Sequence, residues 1–320
     1  MPNFSILYDE PHEADWFRAL HPALADASET PITQARGWPS LQQVLAYDRP
    51  DVILMDGNVP ILVVEETVEV PSGHNVGQRF ARIAAAAEAG VPSFYFGPYV
   101  ARKHGGETEG PRYMNARLFY ALEAMERTTG SAVSTINWGV DDDCEVRRDP
   151  AKDNDVREYM ATFLDLYARN PNLQALNRAL IFSEFHQRMV RERNDFVSTR
   201  IRNPQQYDGP PKSLEIVPLA EFQRARGIRV GFPRSVTELV VYNVGMKNIR
   251  SDPYTGMSML YKYLYVAENV HRALVLWFPE ITIGTWRATA INATRKDIRI
   301  FRHTADAVLF YDGFLLASEL

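Results

Sequence analysis

The sequence holds a single cysteine, Cys144, among 320 residues. One thiol excludes an internal disulfide framework and a cysteine-based zinc site, and it suits a reducing compartment. No stretch approaches the roughly 18 uninterrupted apolar residues of a membrane span. The start, MPNFSILYDEPHE, has neither the basic segment nor the apolar core of a secretion signal. A cytoplasmic protein without membrane contact is therefore expected. Also missing are a P-loop, a dinucleotide glycine fingerprint, a serine nucleophile elbow and a metalloprotease His-Glu-x-x-His helix. These absences argue against the common nucleotide-dependent enzymes and hydrolases. His74 is the histidine nearest the acidic stretch described below and is open to roles as a base, a turn residue or a phosphate contact.

What is present supports a folded globular chain, since 46% of the residues are hydrophobic and the length suffices for one large domain or two ordinary ones. The net charge of −5 conceals an asymmetry. Residues 1–177 carry 15 basic against 26 acidic side chains, residues 178–302 carry 20 against 11, and the last 18 residues carry 0 against 3. An acidic first half followed by a basic, aromatic second half is what an enzyme acting on nucleic acid needs; two halves that neutralise each other give the same pattern.

The most informative stretch runs from Pro50 to Val70. Its pattern is a β-hairpin: an apolar run Val52–Met55, a turn at Asp56-Gly57-Asn58, and a second run Ile61–Val64 that continues into charged residues. Alternation along a strand places Val63, Glu65, Thr67 and Glu69 on one face and Val64, Glu66 and Val68 on the other. Asp51 opens the first strand. Carboxylates gathering at the end of a core strand call for solvent or a cation, so a divalent metal site and a strand simply emerging into water are the two readings.

Around this hairpin the spacing predicts a strand Phe4–Tyr8, a helix over Ala14–Leu20 and a helix over Ser40–Ala46. Asp9, Glu10 and Glu13 read as surface and helix-start acids or as a further metal ligand. A helix over Val76–Ala89 and a strand over Val91–Phe96 follow, giving a strand–helix–strand unit with a parallel pair. Phe80, Ile83, Ala84 and Ala87 form the buried stripe of that helix, which leaves Gln78 and Arg82 on the exposed side and Arg79 at the flank. A mobile loop is expected over Tyr99–Gly110, a helix over Pro111–Thr128, a strand over Ser131–Trp138, a solvated turn at Asp141-Asp142-Asp143, and helices over 153–202 with a break at Asn170-Pro171. A proline-rich linker, Asn203–Lys212, divides the chain into 1–202 and 213–320. Strands are expected at Leu274–Phe278 and Ile298–Phe301. The final segment, Asp306 to Glu319, repeats the acid, strand, Asp-Gly turn, strand pattern of the hairpin and suggests a degenerate duplication.

Pro50-Asp51, the turn and the buried strand reaching Glu65 resemble the PD-(D/E)xK nuclease superfamily, the restriction-endonuclease-like fold. The resemblance covers residues 45–100. It implies a mixed α/β core whose sheet is flanked by helices, with a basic α/β region added at the C-terminal side. It further implies Mg2+, with Mn2+ as an alternative, bound by Asp51 and Glu65. The family's lysine falls at Thr67, so Gln78, Arg79 or Lys103 is required to supply what the lysine would. The implied activity is hydrolysis of DNA phosphodiester bonds in a restriction or defence role, on duplex DNA, with a homodimer as an option. Asp51, Glu65, Thr67, Gln78 and Arg79 would be catalytic. Arg82, Arg191, Arg193, Arg224, Arg226, Arg229, Lys247 and Arg250 would contact nucleic acid. The alternative is a nuclease-like nucleic-acid-binding protein that no longer cuts, for which Thr67 is the support.

Overall fold

The computed structural model describes residues 2–71, 75–104, 109–207, 209–247, 255–291 and 294–320. His74, Arg250 and the turn 251–254 lie outside them. The chain is mixed α/β, with mixed sheets flanked by helices, and it divides into two compact units. The first comprises residues 1–73 and 81–202, the second 74–80 and 203–320. No helix among the described residues is long and apolar enough to cross a membrane.

In the first unit, β1 (Phe4–Tyr8), α1 (Pro11–Arg18), β2 (Ser28–Pro31) and α2 (Ile32–Ala35) lead into β3 (Val52–Asp56) and β4 (Val59–Glu66). Then come α3 (Asn75–Glu88), β5 (Ser93–Gly97), a small hairpin of β6 (Val100–Lys103) and β7 (Gly110–Tyr113), α4 (Ala116–Thr129) and β8 (Val133–Asn137). Helices α5 (Asn154–Arg169), α6 (Leu173–Ile181) and α7 (Glu184–Arg200) complete it. The main sheet has the order β2-β1-β3-β4-β5-β8. β1, β3 and β4 form an antiparallel meander, and β4, β5 and β8 run parallel.

The hairpin turns at Gly57, whose φ of 55° is the left-handed conformation that glycine adopts without strain. A bulge separates Leu54↔Leu62 from Met55↔Pro60. It falls beside a proline that has no N–H to give to the ladder, and it turns the neighbours Ile61 and Leu62 into the same core cluster. Beyond the bulge the alternation is regular. Val64 packs with Val52, Phe17, Tyr159 and Phe163, whereas Val63 packs with Ile53, Leu7 and Ala86 from α3. Both faces of the strand are therefore buried, and the two successive glutamates that follow point to opposite sides of a covered sheet.

Several expected elements take a different form. Ser40–Ala46 is not a continuous helix; the 3-10 turn Pro39–Leu41 is followed by separate turns. Tyr99–Gly110 is not a loop throughout, since β6 pairs with β7, and α4 accordingly starts at Ala116 rather than Pro111. Ile298–Phe301 belongs to a helix. Ile298 and Ile300 alternate like a strand, but the adjoining Phe301 breaks that period, and Ile298, Phe301 and Thr304 make a buried helical stripe.

The second unit is built on β9 (Leu214–Pro218), β10 (Glu238–Asn243), β11 (Arg272–Phe278), β12 (Ala307–Phe310) and β13 (Phe314–Leu316), in the order β13-β12-β11-β10-β9. β10, β11 and β12 run parallel, with antiparallel strands at both edges. α8 (Leu219–Arg226) follows β9, while α9 (Thr255–Tyr265), α10 (Ile283–Ala290) and α11 (Lys296–Thr304) connect the parallel strands. Phe222 from α8 joins the apolar cluster of Leu239, Val241 and Val275. Tyr261 of α9 packs edge-on to Tyr242, and Phe301 of α11 packs edge-on to Phe278. The closing hairpin β12–β13 lies at the rim: β13 is an edge strand, unlike β4 with partners on both sides. Asp306 accepts from the Leu274 N–H at 2.7 Å and Glu319 from the Leu316 N–H at 2.7 Å. These acids secure local backbone, and the likeness of this closing segment to the first hairpin ends there.

Within this unit the backbones of Gly77, on α3, and Gly256, on α9, come so close that a Cβ on Gly77 would stand 2.7 Å from the Gly256 carbonyl carbon. The substitution Gly256→Ala should therefore lower the unfolding free energy by about 1–3 kcal/mol in urea denaturation, although alanine favours helix more than glycine does.

Candidate functional site

The sheet delivers Asp51 and Glu65 to one place. Asp51 precedes β3 and Glu65 is the penultimate residue of β4, and since the two strands are paired neighbours, the two carboxyl groups meet at the same end of the hairpin. Both are buried, with Glu65 at 0% and Asp51 at 6% exposure. Asp51 Oδ2 accepts from the Glu66 N–H at 2.6 Å, which fixes the aspartate across the strand ends. Its other oxygen, Oδ1, accepts from Arg82 Nη1 at 3.1 Å. The same nitrogen lies 2.9 and 3.2 Å from the two oxygens of Glu65. Arg82 Nε reaches Asp48 at 3.4 Å.

Arg82 comes from α3, whose alanines Ala81 and Ala84–Ala87 are all buried and let the helix lie close to the sheet. Its side chain is only 14% exposed. Burial pulls the guanidinium pKa down, but Glu65, Asp51 and Asp48 outweigh it and hold the group above its ordinary value. The expectation that Arg82 sits on the exposed side of the helix is thus corrected. α3 is covered nearly all round, and the polar residue of its central turns is drawn to the carboxylates. Gln78 and Arg79, on the first turns of α3, are half-buried and belong to the part of the helix grouped with the second unit.

Thr67 continues the ladder, giving its N–H to the Phe96 carbonyl at 2.9 Å. Its hydroxyl is bonded to both the N–H and the carbonyl of Glu69, each at 3.2 Å. Glu69 itself has left the strand, so no acidic face extends past Thr67. A Cβ at Gly97 would come within 2.8 Å of the Thr67 methyl group, so a glycine in the neighbouring strand makes room for it.

No family model, curated protein or solved structure matches this chain. Function has to be read from the site itself.

On the opposite face of β4 lies a second polar group that the sequence did not reveal. Glu13, read from the sequence as a surface acid or a further metal ligand, is 8% exposed; it accepts from the Glu10 N–H at 2.8 Å. Burial pushes its pKa up to about 8 against the relief given by that hydrogen bond, with Asp51, Asp9 and Glu66 adding to the rise. Glu66 is raised to about 7, again by burial, with Lys152 opposing and Asp51 and Asp153 reinforcing. Lys152 pairs with Asp153 at 2.7 Å and lies 4.3 Å from the Trp138 ring centre. Trp16, Phe96 and Trp138 form a parallel stack beside it, and the Trp16 indole N–H donates to Asp153 at 3.0 Å. Nothing local in the sequence marks Lys152 as a neighbour of Glu66, since the pairing is made by packing between segments far apart in the chain.

Among the described residues no group of three or more His, Cys, Asp or Glu is placed to hold a metal ion. Asp51 and Glu65 offer hard carboxylate oxygens, which is the donor chemistry Mg2+ and Mn2+ take, and these oxygens converge on one point. A guanidinium nitrogen stands at that point.

The arginines expected on nucleic acid divide into two kinds. Arg193 is 4% exposed and bonded to Glu123 at 2.9 Å, so it serves the fold and is not presented to a ligand. Arg191 is exposed on α7. In the second unit Arg224, Arg226, Arg229 and Arg234 are all exposed, and none of them makes an ion pair among the described residues; Arg226 lies 4.6 Å over the ring of Trp277. Lys247 is exposed, 3.8 Å from Glu280.

A chain of Ser134, His186 and Glu126 (3.0 and 3.2 Å) has the residue types of a hydrolase triad. Ser134 and His186 are 1% and 3% exposed, so no substrate reaches them, and the bonds tie β8, α7 and α4 together.

The raised carboxyl pKa values set a pH dependence. A carboxyl whose pKa is higher folded than unfolded favours the fold in its protonated form. That stability is complete below the ordinary value of 4.5 and is lost as the pH rises through about 7 for Glu66 and about 8 for Glu13. Glu13→Gln keeps an acceptor for Glu10 and removes one titration. Its urea midpoint should fall less than that of the wild type between about pH 6 and pH 9.

Proposed function

We propose that the chain is a divalent-metal-dependent endonuclease that hydrolyses DNA phosphodiester bonds, built on a restriction-endonuclease-like core and serving a restriction or defence role. The observation that carries this reading is the convergence of Asp51 and Glu65. Two carboxylates from the ends of adjacent strands place three oxygens within 3.2 Å of one nitrogen, in a fold where ordinary packing would keep such charges apart. The strand arrangement supports it. An antiparallel meander of β1, β3 and β4, then α3 and a parallel β5, is the framework in which the Pro-Asp and Glu-x-Thr segments resemble the nuclease superfamily.

In this reading Asp51 and Glu65 hold the cation, and Asp51 is kept in place by the Glu66 N–H. When bound, the cation lowers the pKa of a water and neutralises charge on the phosphoryl oxygens. Thr67 stands where the family has a lysine, and a hydroxyl brings no positive charge. Arg82 is the cationic side chain of this unit bonded to both carboxylates, which makes it the candidate for that charge. The exposed arginines 224, 226, 229 and 234, without carboxylate partners among the described residues, suit the DNA backbone, and Arg226 over Trp277 suits a base or sugar face.

A second reading is a binding protein with a nuclease-like core that does not cut. It is favoured by the Thr67 hydroxyl being engaged with the Glu69 backbone. Incubating plasmid with Mg2+ or Mn2+ separates the two. Cleavage should appear with metal and fall about 10²–10³-fold in Asp51→Ala and Glu65→Ala, the scale of losing an electrostatic group at a reaction centre. Binding that survives without cleavage under either metal would establish the second reading. Replacing Arg224, Arg226 and Arg229 by alanine should weaken DNA binding. It should also make the log–log salt dependence shallower by about 0.9 for each DNA phosphate that no longer has an arginine to neutralise it.

A further inference from the structure

We infer that Arg82 is a displaceable counter-cation: without metal its guanidinium holds Asp51 and Glu65 together, and a divalent cation entering between them releases it toward the substrate phosphate. This rests on the metal-dependent reading above and assigns it a control step.

The geometry at Nη1 is the basis. One guanidinium nitrogen carries two hydrogens, yet three carboxylate oxygens lie within 3.2 Å of it, at 3.1, 2.9 and 3.2 Å. Three oxygens around two hydrogens is an arrangement ordered by charge more than by directed bonds. A small hard cation suits such a point better, since it draws oxygens to about 2.0–2.1 Å and has no preferred hydrogen directions. The two cations cannot share the position.

Charge attracts the dication before Arg82 leaves. Three carboxylates, Asp48, Asp51 and Glu65, face this one guanidinium group. The anchorage of Arg82 determines what can move. Its helix is fixed by buried alanines on both sides, so the backbone stays while the flexible arm, already 14% exposed, swings. A released guanidinium beside a bound cation has one obvious partner, the anion of the substrate, because a fork of N–H donors matches phosphate oxygens. Metal and substrate would then bind cooperatively, with arginine passing from carboxylate to phosphate.

The test is Mn2+ binding by isothermal titration calorimetry to wild type, Arg82→Met, Arg82→Lys and Asp51→Asn, with folding checked by circular dichroism. Arg82→Met should bind Mn2+ at least about tenfold more tightly than wild type, because no side chain has to be expelled. Arg82→Lys should fall between, and Asp51→Asn should lose the site. If wild type binds Mn2+ through Asp51 but Arg82→Met binds no tighter, Arg82 does not compete; this inference fails and the metal-dependent reading stands. Absence of Mn2+ binding in both wild type and Arg82→Met overturns both. Should Arg82→Met not fold, the wild type decides by NMR during a Mg2+ titration. The Arg82 Nε–Hε signal should shift and lose protection from solvent as the site fills, and a signal unchanged at saturation contradicts the exchange.

Discussion

Buried carboxylates need a counter-charge, and at the end of the first hairpin the Arg82 guanidinium supplies it. Asp48, Asp51 and Glu65 surround Arg82, and leaving a buried pair without its partner typically costs about 3–5 kcal/mol. The surrounding structure makes this grouping attainable. Gly57 permits a two-residue turn, so Asp51 and Glu65 emerge side by side. Alanines bring α3 close enough for an arginine to reach across.

Asp51 also joins two environments of different chemistry. One oxygen faces the Arg82 guanidinium beside Glu65; the other meets the Glu66 backbone, beyond which burial raises the carboxyl pKa values of Glu66 and Glu13. Two consecutive glutamates therefore differ in role because a covered strand turns them to opposite faces. Glu65 is bonded to Arg82, whereas burial raises the pKa of Glu66 to about 7 with Lys152 opposing.

Local pattern disclosed the hairpin, the side of β4 on which each glutamate lies, the alanine-rich helix and the parallel strand after it, because each depends on periods of two or 3.6 residues. It failed where tertiary packing decided. Arg82 has the helical phase of an exposed residue, yet the helix is covered on that side. Glu13 looks like an ordinary acid in a first turn until α1 lies on the sheet. Arg193 has the composition of a nucleic-acid contact but is bonded to Glu123 on a helix 70 residues away. Lys152 carries no local mark of its place beside Glu66. Ile298–Phe301 reads as a strand because two apolar residues in alternation mimic one until the third is weighed. In the second unit the exposed arginines 224, 226 and 229 were legible, since they are clustered in sequence and have no acids interleaved with them.

The claim on which the rest turns is that Asp51 and Glu65 are cation ligands and Arg82 their stand-in. A crystal of the protein with Mn2+ and a non-cleavable DNA duplex, with data collected at the manganese edge, addresses it directly. The account predicts an anomalous peak between the Asp51 and Glu65 carboxylates, with the Arg82 side chain turned to a phosphate oxygen. Arg82 still paired with both carboxylates, and manganese absent there or bound elsewhere, would contradict it.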